Sequence, residues 1–276
     1  MIKNLSIIIL TYNEEQNLPK CLKSIEGLNA DIYVIDSFST DQTQFIAEKH
    51  YTTFIQHCFE THVKQWQFAL SLPEIKSEWI LGLDADQELS IELKEEIKEI
   101  IQNKPAENGF YICRRNYFLD KWIKYGGYYP RYLLKLFRKE FVYLDERELM
   151  DHHFYVNGST AKLKFDLSER NLNETLSFWI SKHNKYAAFQ AQEEINANLP
   201  FKGKFFGSQD EKRFFLKKIW NQSPLFIRPF AYFLYRYFIQ LGFLDGKEGL
   251  IFHFLQGFWY RFLVDAKIYE LRKKIR

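Results

Sequence analysis

Three short apolar runs punctuate the first third of the chain, at residues 5–10, 32–35 and 79–83. Each is rich in Ile, Val or Leu and gives way abruptly to polar side chains. Runs of this length, apolar at successive positions, predict strands buried on both faces of a sheet. Residues 54–56 predict a further short strand. Between them the apolar spacing changes to that of helices. Leu18, Leu22 and Ile25 share one face, Phe45, Ile46 and Ala47 follow the second run, and residues 66–72 and 91–101 read as further helices. Asn13, with Gln16 three residues later, predicts the start of the first helix, with Pro19 in its opening turn. Strands alternating with helices predict an α/β fold with a mostly parallel sheet and right-handed crossovers.

Polar turns follow three of these strands, at residues 11–14, 36–41 and 84–86, and a parallel sheet brings all three to one edge. Ligands bind at that edge in open α/β sheets. The third turn reads Leu83-Asp84-Ala85-Asp86. If the strand continued, its two carboxylates would lie on one face and converge on a hard cation. A Mg²⁺ or Mn²⁺ held by one or two carboxylates fills its remaining sites with water and substrate phosphates. Neither G-x-G-x-x-G nor G-x-x-x-x-G-K-[ST] occurs. A nucleotide at this edge would therefore be held through carboxylates and a metal rather than a glycine-rich loop.

Three segments taken together resemble the family 2 glycosyltransferases of GT-A fold, in particular bacterial enzymes that build lipopolysaccharide core or exopolysaccharide. They are Ser6-Ile7-Ile8-Ile9-Leu10-Thr11-Tyr12-Asn13-Glu14-Glu15, Val34-Ile35-Asp36-Ser37-Phe38-Ser39-Thr40-Asp41-Gln42-Thr43, and Leu83-Asp84-Ala85-Asp86. The resemblance implies that Thr11, Asn13 and Glu14 line a nucleotide pocket and that Asp36 accepts a hydrogen bond from the base, typically uracil. It implies that Asp84 approaches the ribose or the metal and that Asp86 ligates the cation bridging the diphosphate. The implied reaction inverts a sugar's anomeric centre and needs a base for the acceptor hydroxyl. Asp151 is the first candidate and Glu148 the second, both within Leu144-Asp145-Glu146-Arg147-Glu148-Leu149-Met150-Asp151-His152-His153. His152 or His153 is a candidate third metal ligand. Arg114, with Arg115, Arg131 and Arg138, offers pairing to a diphosphate or an anionic acceptor. Tyr125, Tyr128 and Tyr129, in a Gly/Pro loop, offer a platform for a sugar. Lys182 to Tyr186 reads as helix without an assigned role.

Composition divides the chain near residue 200. The 276 residues carry a net charge of +3, yet residues 201–276 hold 15 Lys/Arg against 6 Asp/Glu and 21 of the 50 aromatic residues. The expectation is a catalytic domain over 1–204 and a basic, aromatic-rich helical region over 205–276. Residues 224–244 approach the length of a bilayer span, but Arg228, Pro229, Arg236 and Gln240 interrupt them. Aromatics with interspersed cations describe instead a helix pair lying on a membrane surface, and the alternative is a helical subdomain or dimer interface. Aromatics clustered this tightly do not suit a nucleic-acid partner. Cys21, Cys58 and Cys113 show no metal-ligand spacing, which suits a reduced compartment. No signal peptide is apparent, so the expected place is the cytoplasm, peripheral to the inner face of the cell membrane. Two rival functions are an inert membrane-bound partner of a glycan-assembly complex and a nucleotidyltransferase making sugar nucleotides. The expected partners are a UDP-sugar and a lipid-linked glycan acceptor.

Overall fold

The first strand shows why the sheet forms. In β1 (Leu5–Thr11), Leu5, Ile7 and Ile9 enter one apolar layer and Ile8 enters the other. Both faces of the strand are thus covered, and burying each such side chain contributes about 1.5–3 kcal/mol. The computed structural model describes residues 4–146, 153–173, 175–196 and 219–275. Glu148, Asp151 and His152 lie outside the described residues. The chain divides into two compact units. Unit 1 comprises Met1–Lys124 and Tyr128–Glu174, and unit 2 comprises Tyr125–Gly127 and Thr175–Arg276. The shift in composition, by contrast, falls near residue 204.

In unit 1, β1 is followed by α1 (Leu18–Ile25), β2 (Ala30–Asp36), α2 (Thr43–Lys49), β3 (Thr53–Gln56), α3 (His62–Ser71), β4 (Trp79–Asp84), β5 (Gln87–Leu89) and α4 (Ile91–Gln102). Then come β6 (Gly109–Phe118), β7 (Lys121–Trp122), β8 (Tyr132–Arg138), β9 (Val142–Leu144), β10 (Phe154–Val156) and β11 (Thr160–Glu169). The main sheet runs β3-β2-β1-β4-β8-β6-β11-β5, with β7 paired to β6, while β9 and β10 form a separate hairpin. The pairs β3–β2, β2–β1 and β1–β4 are parallel, as the alternating pattern predicts. Beyond β4 the sheet is mixed. β8 is antiparallel to both β4 and β6, β11 is parallel to β6, and β5 closes the order antiparallel to β11.

One layer packs Leu18, Cys21, Leu22 and Ile25 of α1 and Leu93 and Ile97 of α4 on the sheet; the other packs Trp66 and Ala69 of α3 with Phe137 and Phe154. Ser90 caps α4 by accepting from Leu93 N at 3.1 Å, and Thr61 caps α3 by accepting from Lys64 N at 3.2 Å. Two sequence expectations need correcting. The first helix starts at Leu18 rather than near Asn13, with Pro19 in its first turn. Asn13 is left-handed (φ 55°) and its side-chain oxygen accepts from Thr40 N at 2.8 Å, so it ties two loops together instead of capping a helix. Nor does β4 continue past Asp84. Residues 85 and 86 form a turn before β5, so Asp84 and Asp86 sit across a turn rather than on one strand face.

Unit 2 is helical, and it includes Lys182 to Tyr186, as predicted. It comprises α5 (Leu176–Asn196), α6 (Arg228–Leu234) running into a π-helical turn (Tyr235–Ile239), α7 (Gly246–Phe252) running into a second one (His253–Trp259), and α8 (Tyr260–Ile275). A 3₁₀ turn, Gly242–Asp245, precedes α7. Ala187 and Ala191 of α5 meet Tyr260, Val264 and Ile268 of α8 in its core. Arg228 is buried between two carboxylates, Asp265 and Glu194, the latter at 2.8 Å. The segment Tyr125–Gly127 is seated here by backbone contacts. Tyr125 N donates to Asp245 Oδ2 at 2.9 Å and Gly126 N to the Gln240 carbonyl at 2.9 Å. Gly126 has φ 68°, and a Cβ there would come within 2.0 Å of the His253 ring, so the position requires glycine. Among the described residues, no helix is long and apolar enough to cross a membrane.

Candidate active site

The register of unit 1 places Asp36 opposite Thr11, and Asp84 opposite Leu10. The carboxyl ends of β2, β1 and β4 thus present their polar residues in one row. The loops after β1 and β2 are pinned together by short polar side chains. Asp36 is fully buried, a costly place for a carboxylate unless its oxygens are satisfied. They accept from Thr11 Oγ1 (2.9 Å), Ser39 N (2.8 Å), Ser39 Oγ (2.5 Å) and Gln56 Nε2 (3.4 Å). Ser39 Oγ in turn accepts from Asn13 N at 2.7 Å, Thr43 Oγ1 accepts from Glu14 N at 2.8 Å, and Asp41 accepts from Glu15 N at 3.1 Å. Asp36 is therefore the pin on which the loop holding Thr11, Asn13 and Glu14 is set. Phe38 beside it is left-handed (φ 60°), and both Phe38 and Tyr12 expose more than half their surface at this edge.

The third loop carries a different kind of network. Asp84 Oδ2 receives the ammonium of Lys135 at 3.0 Å and Nε2 of Gln87 at 2.9 Å. Lys135 is 3% exposed, a cation inside the sheet that needs a buried partner. Gln87 also donates to Glu169 Oε2 at 2.8 Å, and Arg114 pairs with Glu169 at 2.8 and 2.9 Å. The chain after β11 then crosses this edge. Arg170 N donates to the Asp86 carbonyl at 2.9 Å, Leu172 N to Asn17 Oδ1 at 2.7 Å, and Asn173 Nδ2 to the Asn13 carbonyl at 2.9 Å. Asn17 Nδ2 reaches Glu14 Oε2 at 2.7 Å. Beneath the acids, burial pushes the Cys21 thiol well above its ordinary range, and Asp86, Asp84, Glu88 and Glu14 push it further.

Thr11, Asn13, Glu14 and Asp36 are accordingly brought together, as are Asp84, Asp86 and Arg114, the last through Glu169. Arg115 pairs instead with Asp166 at 2.7 Å, and Tyr129 donates to the same carboxylate at 3.0 Å. Arg138 lies at the end of β8, bonded to Glu78 and to the carbonyls of Pro105 and Glu107. Of the acids near the expected base, Glu146 accepts from Gln67 Nε2 at 3.1 Å, and His153 lies 6.4 Å from the Tyr155 ring. Sequence reading missed Lys135, Gln87, Glu169 and the crossing segment 170–173. Lys135 had a visible signal, a lone cation within the apolar run Leu133-Leu134-Lys135-Leu136-Phe137.

A cation at this edge would draw on Asp84 and Asp86. Both offer hard oxygens, but Asp84 already neutralises Lys135, and among the described residues no three His, Cys, Asp or Glu gather as a metal cage. The pair fits a Mg²⁺ or Mn²⁺ that shares its coordination with substrate phosphates.

A mixed sheet with a parallel N-terminal half, flanked by helices and bearing acids at its carboxyl edge, is a GT-A fold. The chain belongs to glycosyltransferase family 2: residues 6–162 match the sequence profile described as Glycosyl transferase family 2. The lipopolysaccharide core biosynthesis glycosyltransferase LpsC of Rhizobium meliloti is 26% identical over 271 residues, spanning 96% of this chain and 92% of its own length. The glycosyltransferase RT0209 of Rickettsia typhi is 26% identical over 297 residues, covering 100% and 90%. The mannosyltransferase PcManGT of Pyrobaculum calidifontis, solved with GDP-Man and Mn²⁺, has a TM-score of 0.55 at 13% identity over 96% of this chain and 86% of that one. At that identity the likeness speaks for the fold.

Proposed function

We propose that this glycosyltransferase moves a sugar from a nucleotide-sugar, a UDP-sugar by preference, to a lipid-linked or lipopolysaccharide or exopolysaccharide acceptor, with inversion and with Mg²⁺ or Mn²⁺. It would work in the cytoplasm, peripheral to the inner face of the cell membrane. The observation that carries the reading is the row of polar residues at the ends of β2, β1 and β4, where Asp36 pins one loop and Lys135 and Gln87 fix Asp84. Full-length similarity to LpsC supports the acceptor class.

In this reading Thr11, Asn13 and Glu14 line the nucleotide pocket, and Asp36 holds their loop in register for the base. Asp84, oriented by Lys135, faces the ribose or shares the cation that Asp86 holds. Such a cation, when bound, offsets the negative charge that develops on the departing diphosphate. Arg114, held by Glu169 on that side of the edge, offers its guanidinium to the diphosphate. Asp151, or else Glu148, takes the acceptor's proton.

The test is a transfer assay with purified chain, a panel of nucleotide-sugars and a lipopolysaccharide-core acceptor, run with Mn²⁺ and with EDTA. The product's anomeric configuration is read by NMR. Inverted product that forms only with metal supports the reading. Retained configuration, or an equal rate in EDTA, sinks it. Asp151→Asn and Glu148→Gln then separate the two base candidates, because only the base variant should lose turnover while keeping donor binding.

A further inference from the structure

Unit 2 is turned outward in an unusual way. From Ile227, just before α6, through Phe230, Leu234 and Phe238 along it and its π turn, apolar side chains recur at spacings of three and four and are between 51% and 65% exposed. Leu241, just past the turn, is 45% exposed. Along α7 and the turn after it, Leu250, Phe254 and Phe262 are exposed on one side. Ring contacts join the two stripes. Phe230 lies 4.5 Å from Phe258, Phe258 lies 5.3 Å from Phe254 and 5.7 Å from Phe262, and Phe262 lies 5.3 Å from Phe226. This is one continuous aromatic and aliphatic face, larger than the scattered apolar residues of an ordinary soluble surface.

Charge distinguishes the candidate occupants of this face. From residue 212 to 244, and again from 249 to 264, the sequence contains no Asp or Glu. Two of the acids that flank these stretches, Asp245 and Asp265, are buried, 2% and 0% exposed, and are bonded to Tyr125 N and to Arg228. Over residues 219–275 the acids that are not buried are Glu248 and Glu270, against Arg236, Lys247, Lys267, Arg272, Lys273 and Lys274, the last of which pairs with Glu270 at 2.7 Å. A second copy of a surface that is both apolar and cationic would bring like charges together. A bilayer bearing anionic headgroups offers apolar depth and negative charge at once.

We propose that this face of unit 2 is a docking surface for an anionic lipid bilayer, with the side chains of Phe230, Leu234, Phe238, Leu241 and Phe254 entering the headgroup–acyl boundary. The chain lies on the bilayer and does not cross it. The inference deepens the acceptor reading given above and rests on it, since a lipid-linked acceptor is presented at such a surface. The two can nonetheless fail separately.

The experiment is flotation of the purified full chain with phosphatidylcholine vesicles and with vesicles of equal parts phosphatidylcholine and phosphatidylglycerol. The wild type should float with the anionic vesicles and stay below with the neutral ones. Phe230→Ser/Leu234→Ser/Phe238→Ser should lower its partition by about tenfold or more without changing UDP binding with Mn²⁺, because none of the three lies in unit 1. A Phe238→Trp chain keeps the test open if the triple variant misfolds: its added indole fluorescence should be quenched by brominated lipids. Absence of wild-type flotation, unchanged flotation of the triple variant, or an unquenched indole would overturn the proposal. So would a wild-type dimer in light scattering that the triple variant converts to monomer, since the face would then be a self-interface. Vesicle binding that persists while nucleotide binding fails would overturn the transferase reading and leave the docking surface standing.

Discussion

The two units dispose of charge in opposite ways. Unit 1 keeps most of its Ile, Leu and Trp inside and sets Asp36 and Asp84 at one sheet edge, where Asp36 is satisfied by hydroxyl, amide and backbone donors and Asp84 by Lys135 and Gln87. Unit 2 buries Arg228 with Asp265 and Glu194 and leaves phenylalanines and leucines outside. In the first, buried polar pairs hold acids in place along one sheet edge. In the second, charge is spent on holding helices together, which leaves the surface free to be apolar. A polar residue therefore means different things in the two regions, and substitutions separate them.

Asp86→Ala should have the largest effect. If Asp86 carries the cation, turnover should fall roughly a thousandfold, ~4 kcal/mol of transition-state stabilisation. The thermal midpoint should stay within a degree or two, since the side chain is only half buried. A transfer assay beside a melting curve checks both. Asp265→Ala should do the reverse. Leaving Arg228 buried beside Glu194 alone should cost unit 2 about 3–5 kcal/mol in urea unfolding, while nucleotide binding by the folded protein should persist. Were both variants to lose stability and activity together, the contrast between the units would break down.

His183 sharpens the comparison through pH. Its ring stacks on Trp179 at 3.5 Å, and burial, helped by the neighbouring Lys182 charge, lowers its pKa from 6.5 to about 4. Between these values the unfolded chain binds the proton and the folded chain does not. The associated stability is present above pH 6.5 and is lost as pH falls toward 4, by up to about 3 kcal/mol. Urea midpoints at pH 7 and pH 5 should differ less in His183→Gln than in the wild type. The smallest effect should come from Ser90→Ala, which removes the cap of α4 and should cost ~1 kcal/mol without touching turnover.

Much of unit 1's first hundred residues is legible because its determinants are local. An apolar run such as residues 79–83 declares a buried strand, and the acids that follow mark its carboxyl end. What lies beyond β4 depends on pairing across long separations. β11, Thr-Ala-Lys-Leu-Lys-Phe-Asp-Leu-Ser-Glu, reads as polar, and it is held by β6 some fifty residues away. The network around Asp84 illustrates the same limit, since Lys135 reaches Asp84, and Glu169 reaches its neighbour Gln87, from strands whose order the pattern does not encode. Asn13 shows how a local rule can be overruled. Its spacing to Gln16 has the form of a helix cap, yet the Thr40 amide claims its side chain because the parallel register brings β2's loop alongside.

The most direct test of the carboxylate edge is a thermal-shift titration of the wild type and Asp86→Ala with UDP, GDP, CDP and ADP, each with Mn²⁺ and with EDTA. The account predicts stabilisation of the wild type by UDP with Mn²⁺ only, and its loss in Asp86→Ala. Equal stabilisation in EDTA, or a variant that responds like the wild type, would contradict it.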